Sequence, residues 1–439
     1  MQRSAIMQAA VLAVAVVLVV CSCSEHRTEN GASTTTTPPV TVGGPCAGDD
    51  LIACARASTL KAYVPARATK ATGTPIKLGM INQENTPAGS FPELSQADQA
   101  AIAFVNDELG GIEGHPIQLE VCNTKFSAEG STTCGQRFVQ EKVPAVLGGI
   151  DVFGNGIDVL NDNKIPFVGG IPISDASVKD ANSFQWSGGS WGASVAFAQY
   201  AATTLKAKSA AIVYGEFGPI TDAADYGKKV LQALGVSKVQ MVPYPITATD
   251  LSTAVAAAGS GQPDVIFMLT ADSGCKGGFD AIHTLGIKAT VFYTGACTIP
   301  AIIAEAGPAK TNGTIFNVEV EIKRDHPAVD TTLYTKVIQK YGKGLDPIGA
   351  GTVSFRAFMN LYMVLADLGA DGITPAAITD ALGKKVDAPS FTGHTYTCDH
   401  RQFAGLPAMC SPQQILAEMQ DGNLHQLGTW IDVGQIYGG

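Results

Sequence analysis

Three groups of residues in this 439-residue chain have side-chain types and spacing that could do chemistry. Gly188, Ser190 and Gly192 spell G-x-S-x-G, the pattern that lifts a nucleophilic serine on a sharp strand-to-helix turn. Histidines at 283, 326, 394, 400 and 425 follow it and could supply a general base. His394, Cys398 and His400, with Cys410 downstream, are residue types that bind zinc. Asp151 follows the apolar run at 145–150, where a carboxylate either faces a cleft or caps the next helix.

Each of the first two patterns has a plainer reading. The chain holds 48 glycines, so a chance G-x-S-x-G is expected, and residues 184–192 also read as a Gly-rich passage between two blocks of elements. The His394 to Cys410 spacing matches no standard zinc finger, and in an exported chain Cys398 and Cys410 suit a disulfide instead. Trp186 and Trp191 could stack on a ligand or pack in a core. Neither G-x-x-x-x-G-K-[ST] nor G-x-G-x-x-G occurs, which removes the usual support for nucleotide chemistry.

The elements that must position these residues start with the N-terminus. Residues 9–20 form a 12-residue apolar run behind Arg3, too short to span a bilayer and the length of a secretory core. A stretch rich in Thr, Ser, Pro and Gly follows and reads as a flexible tether. A cysteine closing such a run, before a tether, resembles the signal of bacterial lipoproteins, where that cysteine is acylated and becomes the first residue. Ser22 before Cys23 fits the small residue of that signal better than Val20 before Cys21. Parity agrees: with Cys23 lipidated, eight cysteines remain, whereas starting at Cys21 strands one thiol in an oxidising compartment. Eight cysteines allow 105 connectivities. Their grouping suggests Cys46 with Cys54, Cys122 with Cys134, Cys275 with Cys297 and Cys398 with Cys410.

Composition sets wider bounds. With 46% hydrophobic residues and 15% charged, the chain can bury at least one large core, and its length suggests two domains. The formal charge of −10, with 29 basic and 39 acidic residues and no basic run, gives nucleic acid no footprint. From residue 75, apolar runs at 76–81, 117–122, 145–150 and 166–171, and later at 210–215, 265–270 and 290–295, alternate with helical stretches such as 95–109 and 194–207. Near-continuous apolar strands imply burial on both faces, and strand–helix alternation predicts a doubly wound α/β architecture. The alternation runs twice, interrupted at 184–192. In such sheets ligands bind beyond the carboxyl ends of strands. Residues 82–91, 151–156, 172–175, 216–221, 271–274 and 296–299 occupy that position.

Residues 110–124, GGIEGHPIQLEVCNT, and 143–171, with a Gly-ended strand, a helix and an Ile-Pro before the next strand, resemble the branched-chain amino-acid type of periplasmic substrate-binding proteins of ABC transporters. Residues 210–218 and 263–270 resemble the opening elements of that family's second lobe, and the likeness spans roughly 75–430. It implies a type I periplasmic binding fold: two doubly wound parallel-sheet lobes joined by a three-crossover hinge. The expected layout is a lipoprotein signal peptide at 1–22, a tether at 23–45 and a disulfide-stapled extension at 46–74. Lobe one then takes 75–188 and 317–390, and lobe two 189–316 and 391–439.

The resemblance further implies a non-enzymatic, monomeric protein without cofactor or metal, lipid-anchored to the outer face of the cell membrane, that closes on a small polar molecule and delivers it to the permease of an ABC importer. A ligand sensor for a membrane receptor is the alternative within the fold, and a secreted hydrolase using Ser190 the alternative outside it. Expected ligand-binding residues are Asn85, Phe91, Asp151, Phe153, Pro172, Ile173, Ser174, Phe217, Asp272 and Cys297. In amino-acid binders of this family, hydroxyls of lobe one hold the ligand carboxylate and an acid of lobe two meets the ammonium. Here only Ser174 keeps a hydroxyl, and Ala296 and Cys297 stand where that acid falls. An ionised Asp151 facing the cleft would repel a carboxylate. These departures point to a neutral or cationic ligand, such as an amide, amine or polar aromatic, rather than a simple aliphatic amino acid.

The mass of the mature N-terminal peptide tests the anchor. It should begin with acylated Cys23; a peptide beginning with acylated Cys21 overturns the assignment.

Overall fold

The computed structural model describes residues 44–86, 89–271, 273–322 and 328–434. The signal segment, Cys23 and the tether up to residue 43 lie outside these residues, as do Asp272 and His326.

Two α/β lobes form among the described residues. The first carries β1 (Ile76–Asn82), β2 (Ile117–Asn123), β3 (Val146–Gly148), β4 (Phe167–Val168) and β5 (Ser183–Phe184). These form one parallel sheet in the order β2-β1-β3-β4-β5. The second carries β6 (Ser209–Gly215), β7 (Lys238–Tyr244), β8 (Val265–Leu269), β9 (Thr290–Tyr293), β10 (Ile315–Val318), β11 (Gln414–Gln420) and β12 (Asn423–Ile431). Its order is β12-β11-β10-β9-β8-β6-β7, parallel from β7 to β10 and then antiparallel. This is the two-lobed, doubly wound fold that the alternation predicts.

The apolar strands follow from their double burial. In β6 and β8, Ile212, Phe267 and Leu269 face one core, while Val213, Ile266 and Met268 face another on the opposite side of the sheet. Residues of strands alternate between faces, so a strand covered on both sides needs apolar residues at every position. The β11–β12 hairpin has a less apolar outer strand and turns through Asp421 and Gly422, both with positive φ, a favoured two-residue hairpin loop.

Three crossovers join the lobes, and one buried carboxylate ties them together. Glu319, just after β10, is 7% exposed, and Arg356, inside the helix Gly351–Leu368, is 1% exposed. Arg356 Nη2 meets Glu319 Oε2 at 2.8 Å and also donates to the Trp186 carbonyl at 2.6 Å. Arg356 Nη1 donates to the Glu319 carbonyl at 2.8 Å. Glu319 Oε1 accepts from the Ser187 hydroxyl at 2.9 Å and the Gly188 N–H at 3.0 Å, both on the first crossover. It also accepts from Gln414 Nε2 at 2.8 Å, where the third crossover enters β11.

This packing accounts for the glycines of the G-x-S-x-G stretch. A Cβ on Gly188 would stand 2.6 Å from both the Gln414 amide and the Pro412 carbonyl, and Gly189 has φ +53° with the Pro172 carbonyl beside it. Trp186 and Trp191 are core residues, Trp186 meeting the Tyr396 ring edge-on at 5.4 Å.

The extension belongs to the first lobe's core. Cys46–Cys54 closes it, Asp50 caps the helix Leu51–Arg56, and Cys54 and Leu60 are fully buried. Thr59 N–H donates to Asp330 at 2.8 Å and the Tyr63 hydroxyl to Asp367 at 2.9 Å, which pins the extension to two long helices. The remaining disulfides among the described residues are Cys122–Cys134, Cys275–Cys297 and Cys398–Cys410.

Removing one partner of a buried ion pair leaves the other charge uncompensated, at a cost of about 3–5 kcal/mol. Arg356→Met should therefore lower the stability measured by chemical denaturation by about that amount. Adding Glu319→Gln to Arg356→Met should recover much of the loss.

Candidate functional site

A cavity of about 330 Å³ lies between the lobes at the carboxyl ends of their strands. The first lobe contributes Gln83 and Phe91 from the loop after β1, Phe126 after β2, Ile150 and Val152 after β3, and Ile171 and Ile173 after β4. The second contributes Phe217 and Ile220 after β6, Tyr244 and Ile246 at and after β7, and Leu269 and Thr270 at and after the end of β8. Thr294, Gly295, Ala296 and Thr298 after β9 complete that wall. Val318 at the end of β10 and the crossover residues Glu319 and Val320 lie between, and Thr331, Tyr334 and Thr335 of the helix Val329–Tyr341 cover one side.

The lining is apolar and close to neutral. Among its described residues Glu319 is the only charged one, and its carboxylate already takes the Arg356, Ser187, Gly188 and Gln414 donors. Most polar groups are likewise spent within the protein. The Tyr244 hydroxyl donates to Thr270 Oγ1 at 2.6 Å, and Thr294 Oγ1 donates to the Thr270 carbonyl. Asn317 joins Gln414 at 2.8 Å through its amide N–H and accepts from Gly295 N–H at 2.8 Å. The Tyr334 hydroxyl donates to the Pro347 carbonyl at 2.9 Å.

Of the residues expected from sequence, Phe91, Ile173 and Phe217 line this cavity. Asp151 does not. It is 4% exposed and accepts from the Ser131 hydroxyl at 2.6 Å, and Ser131 Oγ accepts from Gly156 N–H at 2.7 Å. The helix Asn155–Asp162 takes Gly154 as its N-cap, so Asp151 neither caps it directly nor faces the cleft; it serves the helix start through Ser131. Burial raises the Asp151 carboxyl above the ordinary carboxylate range, and the Ser131 hydrogen bond opposes that rise. The repulsion expected between Asp151 and a carboxylate in the cleft therefore has no geometric basis here.

Phe153 is half-buried and not among the lining residues, but it meets two of them edge-on, Phe126 at 5.5 Å and Phe217 at 5.9 Å. Ser174 is buried as the N-cap of the helix Asp175–Lys179, in a reciprocal capping box with Ser177. Pro172 presents its carbonyl to Gly189, and Asn85 is exposed with positive φ. Cys297 is consumed in the disulfide to Cys275. In the loop after β3, Ile150 and Val152 line the cavity, whereas the Asp151 carboxylate is turned to Ser131.

Ser190 lines the cavity without a histidine among the described lining residues. His394 bonds the Thr395 carbonyl at 2.9 Å and packs on Trp430, while His400 bonds the Pro407 carbonyl at 3.0 Å.

The sequence profile of the periplasmic binding protein family matches residues 75–409. The chain belongs to that family. Its members bind and do not catalyse, which removes the hydrolase alternative for Ser190. No curated protein sequence matches this binding protein. Solved structures share its type I fold. A possible leucine/isoleucine/valine-binding protein from Rhodopirellula baltica matches with TM-score 0.70 at 14% identity, covering 82% of this chain and 98% of its own. A solute-binding protein of an ABC transporter from Rhodopseudomonas palustris, in complex with p-hydroxybenzoic acid, matches with TM-score 0.68 at 21% identity, covering 83% and 99%. A fatty acid ABC transporter substrate-binding protein from Thermomonospora curvata matches with TM-score 0.69 at 17% identity, covering 84% and 97%.

Cys275–Cys297 holds the start of the helix Ser273–Thr284 to the turn that carries Ala296 and Thr298. Closing a loop of 22 residues stabilises by about 3 kcal/mol in the chain-entropy view. The Cys275→Ala, Cys297→Ala pair should lower the thermal midpoint under non-reducing conditions and weaken binding of any ligand that reaches this wall.

Proposed function

We propose that this protein is an extracytoplasmic solute-binding lipoprotein that encloses a small molecule with a largely apolar body and delivers it to an ABC importer. One observation carries the ligand class: the described lining holds one charged group, and that group's hydrogen-bonding capacity is taken by the hinge. A zwitterionic amino acid needs two opposite charges matched in a site that excludes water, because an unpaired ion in a low-dielectric cavity costs several kcal/mol. Aromatic and aliphatic walls instead reward burial of apolar surface, at about 25 cal/mol per Å². A volume of about 330 Å³ is at the small end of ligand sites.

This reading moves the expectation from a small polar molecule to one whose polar part is a minor feature. Similar solved structures include a branched-chain amino-acid transporter's binding protein with isoleucine, a solute-binding protein with a hydroxybenzoate and a fatty-acid transporter's binding protein, so cleft chemistry varies widely on one fold. The import role draws its support from the family and from those transporter-associated relatives. Two lobes on three crossovers suit a hinge whose closed form is favoured by the ligand, since a ligand shifts such an equilibrium by its differential affinity.

A thermal-shift screen decides between ligand classes, because a ligand that binds only the folded state raises the melting temperature by mass action. Alkyl phenols and medium-chain alcohols or amides should raise it, and leucine, valine and putrescine should leave it unchanged. A clear shift with leucine or putrescine overturns the apolar assignment.

A further inference from the structure

Two buried side-chain polar atoms of the described cavity lining have no hydrogen-bond partner: Gln83 Oε1 and Thr331 Oγ1. Gln83 is 1% exposed and follows β1 directly. Its amide is held in one orientation, because Nε2 donates to the Gly89 carbonyl at 3.1 Å. Its own backbone carbonyl accepts from Phe91 N–H at 3.0 Å, which closes the loop around it. The side chain is thus anchored at its nitrogen, and its oxygen is left without a partner in a residue that shares the cavity lining with Phe91, Ile150 and Val152. Buried acceptors in folded proteins are almost always paired, and an orphan at a cavity wall is explained when the cavity's occupant supplies the donor.

We propose that Gln83 is a specificity-determining residue: its Oε1 accepts a hydrogen bond from an O–H or N–H on an otherwise apolar ligand. The inference rests on the apolar solute-binding reading above and sharpens it. An amide oxygen with fixed orientation offers acceptance only, so it favours a phenol, alcohol or amide over an ether, and disfavours a carboxylate, which brings acceptors of its own. Thr331 Oγ1 can donate or accept, so it tolerates either and adds no selection of this kind. The cost of a mismatch falls on the protein as well as the ligand, since an ether would desolvate Gln83 Oε1 and leave it unpaired.

The test uses three probes that share one apolar body: 4-propylphenol, 1-methoxy-4-propylbenzene and 4-propylbenzoate. Their affinities for the mature protein are measured by isothermal titration calorimetry, alongside Gln83→Leu and Gln83→Met, with thermal melts to confirm folding. The wild type should bind the phenol roughly 5- to 150-fold more tightly than the ether, the span of one unpaired buried acceptor. Benzoate should bind most weakly. In either folded variant the phenol–ether gap should collapse while ether affinity holds or improves. Equal binding of phenol and ether by the wild type overturns the role of Gln83 and leaves the apolar reading standing, and this comparison needs no variant to fold. A gap that persists in a folded variant, or benzoate binding more tightly than phenol, does the same. Failure of phenol and ether alike to bind the wild type overturns the apolar reading itself, and this inference with it.

Discussion

The contact between Glu319 and Arg356 is the constraint that the two-lobed arrangement depends on. A carboxylate and a guanidinium left only a few percent exposed are tolerated only when their remaining hydrogen-bonding capacity is satisfied. Here that requirement gathers distant pieces of chain. Glu319 sits on the second crossover, Ser187 and Gly188 on the first, Gln414 at the end of the third, and Arg356 on a helix of the first lobe. Residues up to 132 positions away from Glu319 in sequence thus converge on its carboxyl group. Glycine at 188 is the steric consequence, since a side chain there would strike the Gln414 amide.

The same contact shapes the cleft. Glu319 faces the space between the lobes, and an uncommitted carboxylate there would demand a cationic partner. Committed to the hinge, it leaves a lining of aromatic and aliphatic side chains, with hydroxyls that mostly serve one another and the backbone. The edge-on stack of Phe126, Phe153 and Phe217 carries this apolar character across from one lobe to the other. A hinge that uses up its own charges and a cleft that offers few are two results of one arrangement.

Much of the architecture was legible in the chain. Runs such as VIFML have no alternative to burial on both faces, so the parallel strands announced themselves. The hinge turns and the C-terminal hairpin did not, because their shape comes from partners far away in sequence. The extension was legible as a stapled segment through its cysteines, yet its docking depends on Asp330 and Asp367, some 270 and 300 residues downstream. At the site, the loops after the strands do line the cavity, but which of their side chains reach it was not legible. Asp151 drew attention as the one charge in its loop, but its carboxylate meets Ser131, a residue of another helix, while its neighbours Ile150 and Val152 reach the cavity.

Hydrophobic periodicity, cysteine grouping and family motifs therefore suffice for the class of fold and the general role of binding, because strand burial and loop chemistry are local properties that residue types express directly. Which side chains meet in the cleft is not local. Gln83, Glu319 and Thr331 become neighbours of one cavity through the crossovers, and whether each is paired or bare depends on partners that folding alone brings to it. The chemistry available to a ligand is what those pairings leave over, so it could be read only after the two lobes were in place.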